Sequence, residues 1–166
     1  MVRVAILGKM ASGKSTVADI ISKKYPGTRK VAIAAPIKQI AKVHFGMKKK
    51  DRRLLQIIGN TGRILDPFVW VNKVAGSLEN GQSYVIDDVR FKNEVETLRR
   101  HGFKFLYLDV PKQERISRLN KLYGVEAANH VQNMEDISET QLKPDDADVV
   151  WENINLQDVE SKVLQL

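Results

Sequence analysis

Gly8-Lys9-Met10-Ala11-Ser12-Gly13-Lys14-Ser15 is the stretch of this 166-residue sequence that decides its fold. It matches the phosphate-loop pattern G-x-x-x-x-G-K-[S/T] at every fixed position. The apolar run from Val2 to Leu7 comes directly before it and predicts a buried parallel strand. After it, apolar residues recur at helical spacing, so the motif lies between a predicted strand and a predicted helix, the context that it requires.

Each fixed position of the motif has a physical role. Gly8 and Gly13 allow a backbone geometry in which successive N–H groups turn toward phosphate oxygens. Lys14 can reach the β- and γ-phosphates of a nucleoside triphosphate, and the Ser15 hydroxyl is placed to ligate Mg²⁺. We therefore predict an ATP and Mg²⁺ site that comprises Gly8, Lys9, Ala11, Ser12, Gly13, Lys14, Ser15 and Thr16.

Strands and helices alternate along the rest of the chain, which predicts a doubly wound α/β fold with a five-stranded parallel sheet. Further strands are predicted at 31–35, 84–86, 103–108 and 149–151. Two helices, Leu54 to Ile58 and Phe68 to Leu78, are predicted around a loop formed by Gly59-Asn60-Thr61-Gly62. Residues 124–146 have little apolar periodicity and predict a mobile insert.

The prediction for domain organisation is a single P-loop kinase domain over residues 1–166. Its core would comprise residues 1–35, 80–115 and 147–166. Residues 36–79 would form an acceptor-binding helical region, and residues 116–146 would form a lid.

The formal net charge of +7 is distributed unevenly. Residues 1–65 hold 15 Lys and Arg against 2 Asp and Glu, residues 66–125 hold 10 against 8, and residues 126–166 hold 2 against 10. The densest basic run, Lys48 to Arg53, is more typical of a solvated helical face than of a nucleic-acid stripe. A basic first half also suits a site for several phosphate groups, so the pattern does not favour nucleic acid as the partner.

Composition excludes several kinds of site. Cysteine is absent, which excludes a disulfide framework, a thiolate zinc site and a cysteine nucleophile. No apolar run approaches the roughly 20 residues of a membrane-spanning helix. We therefore expect neither a membrane protein nor a signal peptide, and we expect a cytoplasmic location, or the host cytoplasm if the chain is viral.

Charged residues at the ends of predicted strands supply further candidates. P-loop enzymes need a carboxylate near the metal or the nucleophile, and Asp88 is our choice over Asp87, with a helix-capping role as the alternative. Phosphoryl transfer also needs cations on the migrating group and on the acceptor. The candidate cations are Lys38, Arg63, Arg90, Arg115 and Arg118, each of which alone is more typical of a solvated surface.

The chain resembles the deoxynucleoside monophosphate kinases best known from bacteriophages, within the wider nucleoside monophosphate kinase-like P-loop fold. The likeness spans almost the whole chain. Beside the phosphate loop, its signatures are Ala35-Pro36-Ile37-Lys38, Leu55-Gln56-Ile57-Ile58-Gly59 leading to Arg63, Asp88-Val89-Arg90-Phe91-Lys92-Asn93-Glu94, and Ala147-Asp148-Val149-Val150-Trp151-Glu152-Asn153. The second and third of these are more specific than the phosphate loop.

The resemblance implies transfer of the γ-phosphoryl group of ATP to a deoxynucleoside 5′-monophosphate, giving the diphosphate and ADP. Lys14 and Ser15 with Mg²⁺ would hold the ATP phosphates, Asn153 would lie near the adenine, and Asp88 would lie near the transfer point and the metal. Arg115 and Arg118 would be lid arginines that close over the transferring group. The acceptor side would comprise Lys38, Arg63, Phe68, Trp70, Arg90 and Glu94.

Within that acceptor side, Phe68 and Trp70 would line a base pocket, although apolar residues on a helix are more often core. Two other function classes stay open. A P-loop kinase of another phosphorylated small molecule, such as dephospho-coenzyme A or phosphomevalonate, would differ only in the acceptor. A nucleic-acid-stimulated P-loop ATPase would instead use the basic first half. The identity of the acceptor base stays open, and the resemblance suggests a homodimer.

Overall fold

The computed structural model describes residues 1–132, 141–152 and 154–166. Its five strands are β1 (Arg3–Leu7), β2 (Arg29–Val31), β3 (Tyr84–Ile86), β4 (Lys104–Asp109) and β5 (Val149–Glu152). They form one sheet in the order β2-β3-β1-β4-β5, and every neighbouring pair is parallel. The predicted α/β fold with a five-stranded parallel sheet flanked by helices is confirmed.

The helices connect these strands across both faces of the sheet. They are α1 (Lys14–Lys24), α2 (Ala35–Phe45), α3 (Arg52–Leu65), α4 (Val69–Ala75), α5 (Lys92–Arg100), α6 (Lys112–Tyr123), α7 (Ala127–Gln132) and α8 (Val159–Val163). None of these described helices has both the length and the apolar character needed to cross a membrane.

The core has two layers because successive strand residues point to opposite faces of the sheet. On one face, Val4 and Ile6 of β1 pack in a cluster with residues of α1 and α8. On the other face, Ala5 and Leu7 belong to a cluster with residues of α2, α4 and α5. Both faces are therefore covered, which explains why β1 and β4 are apolar at nearly every position.

The second strand differs from its prediction. It was expected at 31–35, but β2 ends at Val31, and Ala32 to Ala34 form a turn before α2. The amides of Ile33 and Ala34 donate to the carboxylate of Asp88 at 2.8 and 3.0 Å. Because these amides bond a side chain, the chain leaves the sheet directly after Val31, the first residue of the apolar pattern.

The predicted loop at Gly59-Asn60-Thr61-Gly62 is wrong, since α3 runs through all four residues. These glycines serve close packing. A Cβ on Gly62 would lie 2.3 Å from the Trp70 ring, and the Gly59 carbonyl accepts from Trp70 Nε1 at 2.9 Å. Glycine here lets α4 approach α3, a requirement that looks like a turn signal in the sequence.

The region predicted as an insert begins with regular structure. A 3₁₀ turn at Gly124–Glu126 leads into α7, and a second lies at Pro144–Asp146. Leu142 is buried in the core cluster that contains Trp70. Residues 133–140 lie outside the described part of the chain, so the proposed lid boundary at 116–146 stays a prediction.

Candidate functional site

The phosphate loop, residues 8–15, connects β1 to α1 at the carboxyl edge of the sheet. Gly8 has φ +136°, and a Cβ there would lie 2.7 Å from Ser12 Oγ and 2.8 Å from the Leu108 carbonyl oxygen. Ala11 also has a positive φ of 63°. The loop therefore has a tight curvature that a side chain at position 8 would prevent.

Lys14 lies across the loop, since its Nζ donates to the carbonyls of Gly8 at 2.6 Å and Lys9 at 2.9 Å. Ser12 is only 1% exposed, and its hydroxyl oxygen is buried without a hydrogen-bond partner among the described residues. A tight cradle with a cation across it and a buried, unsatisfied hydroxyl fits a bound phosphate chain.

The loop also fits a magnesium ion that arrives with the phosphates. Ser15 follows Lys14 in the first turn of α1 and lines the cleft described below. No group of three or more His, Cys, Asp or Glu residues in the described ranges could hold a metal by itself. Mg²⁺ usually takes one or two protein oxygens and completes its shell with phosphates and water, so a single hydroxyl is an adequate donor.

Two arginines of α6 donate hydrogen bonds to carbonyls of the phosphate loop. Arg115 is only 4% exposed, and it donates through Nε to the Val110 carbonyl at 3.1 Å and through Nη1 to the Met10 carbonyl at 3.4 Å. Arg118 donates through Nη1 to the carbonyls of Ala11 at 3.3 Å and Ser12 at 3.0 Å.

The expected role of the two arginines over the transferring group stays a prediction, and the contacts described here are with the loop. Neither Arg115 nor Arg118 lines the cleft. Both donate to carbonyls of the loop, and Arg118 is also paired with Glu114 at 2.6 Å. The i, i+3 spacing places both arginines on one helix, as predicted. Their described hydrogen bonds to the loop go to backbone carbonyls.

A cleft of about 990 Å³ extends from the phosphate loop along α2, α3 and the segment after β3. Its wall carries seven Lys or Arg residues against three Asp or Glu residues among the described positions. The cations are Lys14, Lys30, Lys38, Lys50, Arg52, Arg63 and Arg90, and the acids are Asp87, Asp88 and Glu94. An excess of positive charge beside a phosphate loop favours an anionic second ligand.

The two acids after β3 have different partners. Asp88 holds the turn before α2 through the Ile33 and Ala34 amides, and burial raises its pKa against the opposing effect of these hydrogen bonds. Asp87 pairs with Lys30 at 3.0 Å, and Lys30 also pairs with Asp19 at 3.0 Å. Burial alone would lower the pKa of Lys30, but the two carboxylates raise it.

Arg63 is fixed on two sides. Its guanidinium carbon lies 4.5 Å from the centre of the Phe91 ring, and its Nη2 lies 3.8 Å from Glu94 Oε1. Glu94 is 3% exposed, and its Oε2 accepts from the amides of Arg90 at 2.8 Å and Phe91 at 3.1 Å. Burial raises the pKa of Glu94 and lowers the pKa of Arg63. Glu94 thus connects α3 to the segment that carries Arg90.

Other predicted site residues lie elsewhere. Trp70 is 7% exposed in the core beneath α3, and neither Trp70 nor Phe68 lines the cleft, so their role in a base pocket stays a prediction. Lys9, Ser12, Gly13 and Thr16 of the predicted ATP site also do not line the cleft, whereas Gly8, Ala11, Lys14 and Ser15 do. Asn153 lies outside the described residues.

Several cleft residues were missed by sequence reasoning. Lys50 and Arg52 belong to the basic run that was interpreted as a solvated face; both are exposed, as that interpretation expects, and both also line the cleft. Gln56 and Asn60 follow at helical spacing on α3 and also line it. The i, i+4 spacing of polar residues from Arg52 through Gln56 and Asn60 to near Arg63 was the available signal.

Comparison with known proteins gives a family and relatives. A family model described as an AAA domain matches residues 4–137. An uncharacterized protein, ORF77, of Ictalurid herpesvirus 1 (strain Auburn) is 32% identical over 117 residues, covering 66% of this chain and 51% of its own length. A UPF0200 protein of Aeropyrum pernix is 28% identical over 118 residues, covering 70% of this chain and 62% of its own length. The matches thus span about half to three fifths of these relatives.

Solved structures share the fold. A gluconokinase from Sinorhizobium meliloti 1021 is similar with a TM-score of 0.61 at 17% identity, covering 98% of this chain and 89% of that one. A shikimate kinase from Acinetobacter baumannii, in complex with shikimate, has a TM-score of 0.63 at 16% identity, covering 99% and 92%. A shikimate kinase from Bacteroides thetaiotaomicron has a TM-score of 0.63 at 23% identity, covering 99% and 95%.

Proposed function

This chain belongs to the AAA domain family of P-loop proteins and has the fold of P-loop kinases, and from that premise we propose that it is an ATP-dependent deoxynucleoside monophosphate kinase. In the proposed reaction an oxygen of the acceptor 5′-phosphate bonds to the γ-phosphorus of ATP. The bond from that phosphorus to the β–γ bridging oxygen breaks, and ADP leaves with the electron pair. The products are the deoxynucleoside diphosphate and ADP.

The observation that supports this proposal most strongly is the continuity of the cleft. One cavity of about 990 Å³ contains the phosphate loop at one end and the cations of α2, α3 and the segment after β3 at the other. A donor and an anionic acceptor can therefore occupy a single continuous cleft. Proximity and electrostatic stabilisation are the main contributions that a phosphoryl transferase must make.

At the donor end, the loop backbone and Lys14 would hold the β- and γ-phosphates. Binding of ATP would draw Lys14 Nζ away from the Gly8 and Lys9 carbonyls toward phosphate oxygens. Bound Mg²⁺, held by the Ser15 hydroxyl and the phosphates, would supply charge neutralisation. We propose that Arg115 and Arg118 are positioning residues, because their donors keep the loop carbonyls turned away from the phosphates.

At the acceptor end, Arg63 and Arg90 would bind the monophosphate, with Lys38 nearby. Glu94 would act as a positioning residue that holds Arg63 against Phe91 and does not itself touch the acceptor. The roles of Lys38, Arg90 and Asp88 stay predictions. The contacts of Asp88 with the Ile33 and Ala34 amides favour a positioning role in the turn before α2.

The contacts of the cleft carboxylates support a phosphomonoester as the acceptor. Each of Asp87, Asp88 and Glu94 already accepts from a lysine, an arginine or backbone amides. A hydroxyl acceptor needs a base to remove its proton, whereas a phosphomonoester is already largely dianionic at pH 7, since its second pKa is about 6. The cleft wall therefore suits an acceptor whose nucleophilic oxygen is already deprotonated when it binds.

The test is ADP production from ATP and Mg²⁺ with each of the four deoxynucleoside monophosphates, and with the matched ribonucleotides and deoxynucleosides. The proposal predicts stimulation by at least one monophosphate, no stimulation by any deoxynucleoside, and little ADP without an acceptor. The same panel identifies the base preference and the sugar preference.

Additional wells separate the alternatives. Shikimate and gluconate test the acceptors named by the structural relatives, and dephospho-coenzyme A and phosphomevalonate test other phosphorylated small molecules. Single-stranded DNA tests a nucleic-acid-stimulated ATPase. Activity with only one of these would replace the proposed acceptor. We also propose a homodimer in the cytoplasm, or in host cytoplasm for a viral chain, and light scattering of the purified protein would test the dimer.

A further inference from the structure

We propose that Lys38, Lys50, Arg52 and Arg90, here called the cation cluster, act together with Arg63 to bind the acceptor phosphate and select a doubly charged phosphomonoester over a carboxylate. Lys50 and Arg52 are new members of the acceptor site. The inference rests on the proposed function for the identity of the acceptor. The presence of an anion site at this position stands on the cleft itself.

The cation cluster is assembled from three parts of the chain. Lys38 lies in the first turn of α2, Arg52 begins α3, and Arg90 follows β3, with Lys50 in the connection between the two helices. All four line the same cleft as the phosphate loop. The basic residues next to Lys50 and Arg52 in the sequence do not line the cleft; these are Lys48, Lys49 and Arg53.

The proximity of these like charges has an energetic cost. Burial lowers the pKa of Lys50, and the charges of Arg52, Lys38 and Arg90 lower it further. The four residues therefore repel one another in the absence of a ligand, and a bound dianion would reverse that cost. A site arranged in this way gains more from two negative charges than from one.

The cleft carboxylates do not oppose this interpretation. Asp87 pairs with Lys30, and Glu94 accepts from two backbone amides and pairs with Arg63. Asp88 accepts from the Ile33 and Ala34 amides and gives Lys38 a nearby negative charge. Among the described residues of the cleft wall, the four cations of the cluster outnumber this carboxylate.

The first experiment is site-specific chemical labelling of lysine. The full-length protein, saturated with ADP and Mg²⁺ to fill the phosphate loop, is pulsed with acetic anhydride at constant ionic strength, with inorganic phosphate, acetate or chloride added. Peptide mass spectrometry then measures acetylation at each lysine. Lys49 is the matched control, because it is adjacent to Lys50 but does not line the cleft.

We expect phosphate to reduce acetylation of Lys50 and Lys38 at least about fivefold, with acetate at the same concentration giving less than half that protection. Lys49 should be labelled equally in all three salts. Equal labelling of Lys50 with and without phosphate, or equal protection by acetate and phosphate, would overturn the inference.

Variants give an independent measurement. Calorimetric titration of inorganic phosphate into the ADP-saturated protein should show a Kd raised about tenfold in Lys50→Gln and in Arg52→Gln. Lys49→Gln and Arg53→Gln should leave it unchanged. An unchanged Kd in both cleft variants, with folding verified by circular dichroism, would contradict the inference. If phosphate binding depends on Lys50 but no deoxynucleotide is phosphorylated, the proposed function fails and the anion site stands.

Discussion

The phosphate loop comes from eight consecutive residues, whereas the cationic part of the cleft, which we propose binds the acceptor and call the acceptor wall, is assembled from α2, α3 and the segment after β3. The loop acts mainly through its backbone, with Gly8 and Ala11 at positive φ and two arginines behind it. The wall acts through long charged side chains. A backbone site is set by local sequence, but a side-chain site depends on packing between helices, and the two ends should respond differently to mutation.

Removal of Lys14 should have the largest effect. Lys14→Ala takes away the cation that would follow the charge onto the leaving phosphates, so kcat should fall at least about 1,000-fold. The measurement is steady-state ADP production with the preferred acceptor. Lys23→Ala, on an exposed position of the same helix, is the control and should keep kcat within about twofold. A kcat within tenfold of wild type for Lys14→Ala would break the proposed role of the loop.

Removal of Arg63 should affect the acceptor and spare ATP. Arg63→Ala should raise the acceptor KM about 10- to 100-fold, since a charge-assisted contact to phosphate is lost, while the KM for ATP changes less than about threefold. Arg53→Ala on the same helix is the matched control, because Arg53 does not line the cleft. Equal effects on the KM for the acceptor and the KM for ATP would show that the donor and acceptor ends of the cleft do not bind their ligands independently.

Glu94 should be distinguishable from a residue that touches the acceptor. Glu94→Gln keeps the amide-accepting oxygen but loses the charge paired with Arg63, so the acceptor KM should rise about fivefold with kcat nearly unchanged. A loss in kcat equal to that of Lys14→Ala would assign Glu94 to the reaction itself.

Asp88 should contribute a pH-dependent component to stability. Burial raises the pKa of Asp88 in the folded state above its ordinary value of 3.8. The contribution of Asp88 to the free energy of unfolding is therefore fully present below pH 3.8 and is lost as pH rises through the raised pKa. The free energy of unfolding of wild type minus that of Asp88→Asn should therefore decrease as pH rises across that range. Urea unfolding at a series of pH values measures this difference in the free energy of unfolding. A difference that increases with pH would contradict a raised pKa for Asp88.

The packing beneath the acceptor wall should have the smallest effect on chemistry. Gly62→Ala places a methyl group 2.3 Å from the Trp70 ring and should destabilise the fold by about 1 to 3 kcal/mol. Trp70→Phe in the same chain should recover part of that loss in a double-mutant cycle. Additive effects of the two substitutions on the free energy of unfolding would mean that the contact with Trp70 does not explain why position 62 is glycine. Thr61→Ala, exposed on the same helix, is the control.

The sequence was sufficient for the fold class and for the strand–loop–helix unit at the start of the chain because their signals are local. An apolar strand, a glycine-rich loop and an amphipathic helix follow one another directly, so no long-range contact had to be known. The errors lie where a long-range contact overrides a local pattern. Asp88 takes the Ile33 and Ala34 amides out of the second strand, and Trp70 turns the Gly59–Gly62 segment from a loop into a helix.

Contacts in the site likewise depend on packing between distant segments. Arg115, which was predicted as a lid residue, lies on α6 where it donates to the Val110 and Met10 carbonyls. Lys50 and Lys49 are indistinguishable in sequence, and only the connection between α2 and α3 decides that Lys50 lines the cleft. Spacing along the chain cannot determine which of two adjacent lysines faces a cavity.

The most direct test of the central proposal is the fate of the γ-phosphorus. The protein is incubated with γ-labelled ATP, Mg²⁺ and the deoxynucleoside monophosphate that stimulates ADP production most, and the products are separated by chromatography. The account predicts one equivalent of label in the deoxynucleoside diphosphate for each ADP formed, with little in inorganic phosphate. Label that appears only in inorganic phosphate, or in no product with any monophosphate, would contradict it.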